Sequence, residues 1–111
     1  MRVYLLTKEK MMSYKYEFPD YDCELPLLDG FTDSSWHNDA CPSLGKELPN
    51  GDFLSVFIDY KDKERSDFAD LEGDSYTRFR VGNHRADGSY ENIFQSNNWT
   101  DIEQFIKELK Q

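Results

Sequence analysis

Apolar and polar side chains alternate in several short segments of the chain, and this period of two predicts β-strands. The strongest segment is residues 53–60, because β-branched and aromatic residues fill it and a turn-forming Pro-Asn-Gly sequence at 49–51 precedes it. One face of this strand is wholly apolar and is expected to face the core; it consists of Leu54, Val56, Ile58 and Tyr60. The opposite face is mixed, and there Asp59 is expected to pair across the sheet with Arg78 or Arg80.

Four further segments are predicted to be strands, at residues 1–7, 14–18, 76–81 and 90–95. The last two are joined by residues 82–88, in which Asp87-Gly88 suits a hairpin turn that needs a positive φ. The first two have two interpretations. Either they form a hairpin, or translation begins at Met12 and residues 1–11 are a dispensable extension.

The C-terminal segment has the period of a helix. Thr100 and Glu103 match a capping box, and they precede apolar residues that share one helix face, namely Ile102, Phe105, Ile106 and Leu109. A chain of 111 residues is the size of one domain. We therefore predict a single α+β domain over residues 1–111, with a mostly antiparallel sheet of three to five strands and the C-terminal helix packed on one face.

Two long segments, residues 25–52 and 61–74, show neither the period of a strand nor that of a helix. We expect the first to lie along the other side or an edge of the sheet, and the second to hold one helical turn fixed by Phe68 and Leu71. Because they flank residues 53–60, they are expected at opposite ends of that strand.

The charge is unevenly distributed. The chain has 22 acidic and 13 basic residues, a net charge of −9, and residues 17–74 alone hold 16 acids and 4 bases. This excess disfavours direct binding to nucleic acid or to an anionic membrane. No apolar run is long enough for a signal peptide or a membrane span, so a soluble, cytoplasmic protein is expected.

Candidate chemistry concentrates in residues 31–43. His37, Asp39 and Cys41, with His84 further along, contain the parts of a thiol nucleophile with its base, and with Cys23 they contain enough ligands for zinc. However, Pro42 biases Cys41 away from helix, and the four metal-ligating residues are scattered rather than paired. We therefore expect neither a metal nor a cofactor, and free thiols rather than a disulfide.

The composition favours a small, acidic, non-enzymatic binding or regulatory protein that docks a basic surface of a partner protein, with inhibition as one mode of action. Its alternative is a small thiol- or metal-dependent enzyme centred on residues 36–43. Trp36 is either an interface anchor or a core ring. The oligomeric state stays open. The residues predicted to contact the partner are Asp33, Trp36, Asp39, Asp67, Asp70 and Asp74.

Overall fold

A computed structural model describes residues 13–67 and 76–109, and in these ranges it forms a five-stranded antiparallel sheet with the strands in chain order. The predicted α+β fold is confirmed. The strand predicted at residues 1–7 and the turn at Phe68 and Leu71 lie outside the described residues. The elements are α1 (Ser13–Glu17), β1 (Thr32–Asp33), β2 (Ser43–Glu47), β3 (Phe53–Ile58), a 3₁₀ turn (Lys63–Arg65), β4 (Phe79–His84), β5 (Tyr90–Ser96) and α2 (Trp99–Glu108).

The main core lies between one face of the sheet and α2. This arrangement confirms the predicted apolar face of the helix, because Ile102 is fully buried while Phe105 and Ile106 pack beside it. The Phe94 and Phe105 rings stack with their centroids 4.5 Å apart. Burial of each large apolar side chain contributes about 1.5–3 kcal/mol. The sheet contributes Leu44, Val56, Ile58, Phe79 and Val81 to this core.

Helix α2 begins two residues earlier than the capping box predicts. Its N-cap is Asn98, whose side-chain oxygen accepts the backbone N–H of Thr100 at 3.1 Å. The prediction that Thr100 itself caps the helix is wrong, because asparagine is at least as strong an N-cap as threonine. This start places Trp99 in the first turn, where its ring meets Phe79 at 5.2 Å.

A second, smaller cluster covers the opposite face, where Phe18, Cys41 and Tyr60 are buried against Phe57. The sequence predicts Tyr60 on the apolar face with Leu54, and this is wrong. Strand β3 ends at Ile58, so the alternation of faces ends there too. The Tyr60 hydroxyl instead donates to the Asp20 carboxylate at 2.9 Å.

Residues 14–18 were predicted to form a strand, but they belong largely to the short helix α1. The Phe18 N–H donates to the Tyr14 carbonyl at 2.9 Å, which closes a helical turn. Alternate rings therefore do not share a face: Phe18 is buried, whereas Tyr16 is 82% exposed. The spacing of four between Tyr14 and Phe18 outweighs the spacing of two in this segment.

The segment 25–52 contains two strands that the sequence analysis missed. Strand β2 pairs with β3 through the hairpin turn at residues 49–51, where Gly51 has a φ of 95°. Glycine is also required at Gly45, because a Cβ there would lie 2.3 Å from the Phe53 ring. Strand β4 lies about three residues later than predicted, while β5 and the positive φ of 95° at Gly88 agree with the prediction.

The register of β2 corrects the expected placement of the long segments. Ser43 pairs with Phe57, and the Ile58 N–H donates to the Pro42 carbonyl at 2.9 Å. The loop that precedes β2 therefore lies at the end of β3, where residues 59–67 also begin. The two acidic segments meet at the same end of that strand, not at opposite ends.

Candidate functional site

The strongest candidate site is the group of carboxylates around the end of β3, which we call the acidic end. Asp22 accepts the backbone N–H groups of Lys61 and Asp62, both at 2.8 Å, and this contact joins the chain before β1 to the chain after β3. Lys61, Lys63 and Arg65 reduce the negative charge there without removing it. The acidic end consists of Glu17, Asp20, Asp22, Asp62, Glu64 and Asp67, and Asp39 adjoins it in the loop before β2.

Several cations near the acidic end are directed to acceptors other than its carboxylates. Arg65 donates to the Asp20 carbonyl at 3.2 Å, and Arg78 donates to the Asp59 carbonyl at 3.0 Å. Among the described residues the ion pairs are His37 with Glu17, Arg80 with Asp59, and Arg85 with Glu91. Within residues 13–67 and 76–109, Asp39, Glu64 and Asp67 take part in none of these pairs.

Trp36 lies in the loop before β2 and is 50% exposed, so it is not a core ring. Its ring contacts that of His37, with the centroids 4.3 Å apart. The His37 Nδ1 lies 2.6 Å from the Glu17 carboxylate, whose oxygen also accepts the His37 N–H at 2.9 Å. These bonds hold the pKa of Glu17 below its ordinary value. Helix α1 thus fixes the loop that presents Trp36.

The residues predicted to contact a partner differ in whether their carboxylates already accept hydrogen bonds within the chain. Asp33 is used inside the chain, because it accepts the N–H groups of Tyr14 at 2.8 Å and Ser35 at 3.0 Å. Asp39 and Asp67 are exposed. Partial desolvation raises the pKa of Asp39, and its electrostatic interaction with His84 opposes that rise. Asp70 and Asp74 lie outside the described residues.

The candidate catalytic residues do not form one cluster. Cys41 is fully buried, and burial followed by the charge of Asp59 raises the pKa of its thiol to about 12. A thiolate nucleophile needs a lowered pKa, so this environment does not favour thiol catalysis. His37 pairs with Glu17, and in the described part of the chain no three His, Cys, Asp or Glu side chains are placed to hold a metal ion. Cys23 and Cys41 are free thiols, as predicted.

His84 lies on the face of the sheet opposite α2 and pairs with a residue that the sequence analysis did not connect to it. Its Nε2 is 2.9 Å from the Ser55 hydroxyl. The imidazole stands between the rings of Phe53 and Tyr90, with centroid distances of 6.0 and 4.8 Å. Ser55 is almost fully buried, so this pair supports the packing of the face rather than an accessible nucleophile.

Comparison with known proteins adds no assignment, since no family model, no curated protein and no solved structure matches the chain. Within residues 13–67 and 76–109, no helix combines the length and the apolar character needed to cross a membrane.

Proposed function

We propose that the chain is a non-enzymatic binding or regulatory protein whose acidic end docks a basic surface of a partner protein. The single observation that supports this is the register of β2 with β3, which places the Trp36 loop and residues 59–67 at the same end of the sheet. One surface can then offer both a half-exposed indole and several carboxylates. Arginine and aromatic side chains dominate such interfaces on the side of the partner as well.

Charge complementarity sets the kind of partner. Carboxylates that make no ion pair within the described chain, such as Asp39, Glu64 and Asp67, attract arginine and lysine and raise the association rate. Trp36 offers an aromatic face on which a guanidinium group can stack. If the docked basic surface is the nucleic-acid-binding site of an enzyme, occupancy alone inhibits that enzyme.

The test is capture of a partner by the immobilised protein at about 50 mM salt, followed by identification of the partner and titration of the purified pair. We expect a basic protein whose affinity falls as salt rises. Trp36→Ala should weaken binding by about 2 kcal/mol or more. It should leave the melting temperature nearly unchanged, because half of the ring is already in solvent.

A charge-matched pair of variants locates the surface. Replacing Asp39, Glu64 and Asp67 together by lysine should abolish binding. Replacing three exposed carboxylates away from the acidic end by lysine changes the net charge equally and should leave most of the affinity; these are Glu47, Glu103 and Glu108. Equal loss in both variants, or no loss in the first, would refute docking through the acidic end.

A further inference from the structure

A cavity of about 340 Å³ lies on the α2 side of the sheet, between the β2–β3 turn and the C-terminal end of α2. This volume is at the lower end of the range of about 300–1,000 Å³ for small-molecule sites. Apolar side chains form most of its wall, and the cavity lies near the start of β3, away from the acidic end. The apolar part of the wall includes Leu54, Ile93 and Leu109, and the polar part includes Asp52 and Asn83.

The polar part contains an amide whose orientation is fixed by chemistry. The Asn83 Nδ2 donates to the Asp52 Oδ2 at 3.1 Å. Because an ionised carboxylate only accepts hydrogen bonds, the amide must direct its NH₂ group, not its oxygen, towards Asp52. The Asn83 Oδ1 therefore occupies the other position. It is shielded from solvent and has no hydrogen-bond partner among the described residues.

Asp52 remains ionised in this arrangement. Its other oxygen accepts the Ala86 N–H at 3.1 Å. The hydrogen bond from Asn83, followed by that from Ala86, holds the pKa of Asp52 below its ordinary value. The carboxylate therefore disfavours an anionic ligand, whereas a neutral or cationic donor is compatible with it.

We propose that this cavity binds a small molecule with an apolar body and one N–H or O–H donor group. The donor bonds to the Asn83 Oδ1, and the body packs on Leu54, Ile93 and Leu109. A buried acceptor without a partner is destabilising, so a ligand donor that reaches it gains both a hydrogen bond and the relief of that penalty. Because the oxygen is covered, binding includes a change of side-chain rotamer at the wall, as is common at binding sites.

The probes that test this proposal are benzyl alcohol, benzylamine and toluene, titrated into the ¹⁵N-labelled protein. The first two carry a donor and the third does not. We expect saturable shifts of the Ile93 and Leu109 amides and of the Asn83 side-chain NH₂. Benzyl alcohol should bind about fivefold more tightly than toluene, the ratio expected for one net hydrogen bond, and benzylamine should bind at least as tightly as the alcohol because its charge is opposite to that of Asp52.

Variants distinguish the amide from general apolar binding. Asn83→Leu should remove the preference for benzyl alcohol over toluene, whereas Asn38→Leu, the same change at an exposed asparagine outside the cavity, should leave it intact. Leu109→Trp should fill the opening of the cavity and abolish binding of all three probes. This variant tests binding in the cavity even if Asn83→Leu does not fold. The proposal is overturned if no probe gives saturable shifts at these residues, or if toluene binds the unmodified protein as tightly as benzyl alcohol does.

Discussion

Asp59 is the charged side chain around which the end of β3 is organised. It is 0% exposed, and its carboxylate accepts Arg80 Nη2 at 3.1 Å, the Ser66 hydroxyl at 2.8 Å and the Tyr60 N–H at 2.8 Å. Burial of an ion pair is tolerated only where the remaining lone pairs are also bonded. Three donors satisfy that condition here, and they connect β3, β4 and residues 59–67 beneath the acidic end.

Asp59→Ala should therefore lower the free energy of unfolding by about 3–5 kcal/mol, because the Arg80 guanidinium loses its buried carboxylate and two further donors lose their acceptor. Urea denaturation followed by circular dichroism measures this loss. The control is Glu91→Ala, which removes the exposed pair with Arg85 and should cost at most about 1 kcal/mol. Equal losses in the two variants would contradict the role given to Asp59.

Single residues also show how far the candidate site follows from sequence. Asp33 and Asp39 are equivalent as residue types, and both were predicted to contact a partner. The structure separates them, because Asp33 accepts the N–H of Tyr14, which lies 19 residues earlier in the chain. Such a contact depends on where α1 packs. No local sequence pattern encodes this contact. The sequence therefore identifies candidate carboxylates, but it does not show which of them already accept hydrogen bonds within the chain.

At the scale of elements, the predictions are correct where the apolar residues of a segment follow a single period, either that of a strand or that of a helix. Strand β3 and helix α2 have long, unmixed patterns and were located to within two residues. Helix α1 was missed because aromatic residues two apart are also four apart, and in so short a segment tertiary contacts decide between the periods. Strand β2 was missed because Gly45 and Lys46 interrupt its apolar pattern. Gly45 is nevertheless required there, since the Phe53 ring occupies the space of a side chain.

The start of α2 offers a test at this scale. Asn98→Ala should lower the free energy of unfolding by about 1 kcal/mol, because the Thr100 N–H loses its side-chain acceptor. Thr100→Ala is the matched control and should change stability by only a few tenths of a kcal/mol, since Thr100 lies inside the helix rather than at its cap. A larger loss of stability for Thr100→Ala than for Asn98→Ala would instead support Thr100 as the N-cap, as the capping box predicts.

At the scale of the whole molecule, net charge and the location of charge have separate consequences. The net charge of −9 makes the folded chain repel itself, and this repulsion depends on total charge more than on the position of any one carboxylate. Recognition of a basic partner depends on the position of the charges, because salt screens the attraction between the partner and carboxylates that lie far from the contact. Salt should therefore affect stability and binding in opposite directions.

Raising NaCl from about 20 to about 200 mM should stabilise the fold by on the order of 1 kcal/mol, or roughly 4–8 °C in melting temperature, because screening weakens the self-repulsion. The two lysine variants with altered charge supply the decisive comparison. Three replacements of a carboxylate by lysine add 6 charges, so both variants have a net charge of −3 instead of −9. Both should lose most of this stabilisation by salt, while only the variant with Asp39, Glu64 and Asp67 replaced should lose partner binding. A salt response that follows the position of the replacements rather than their number would show that local ion pairs, not net charge, control the stability of this fold.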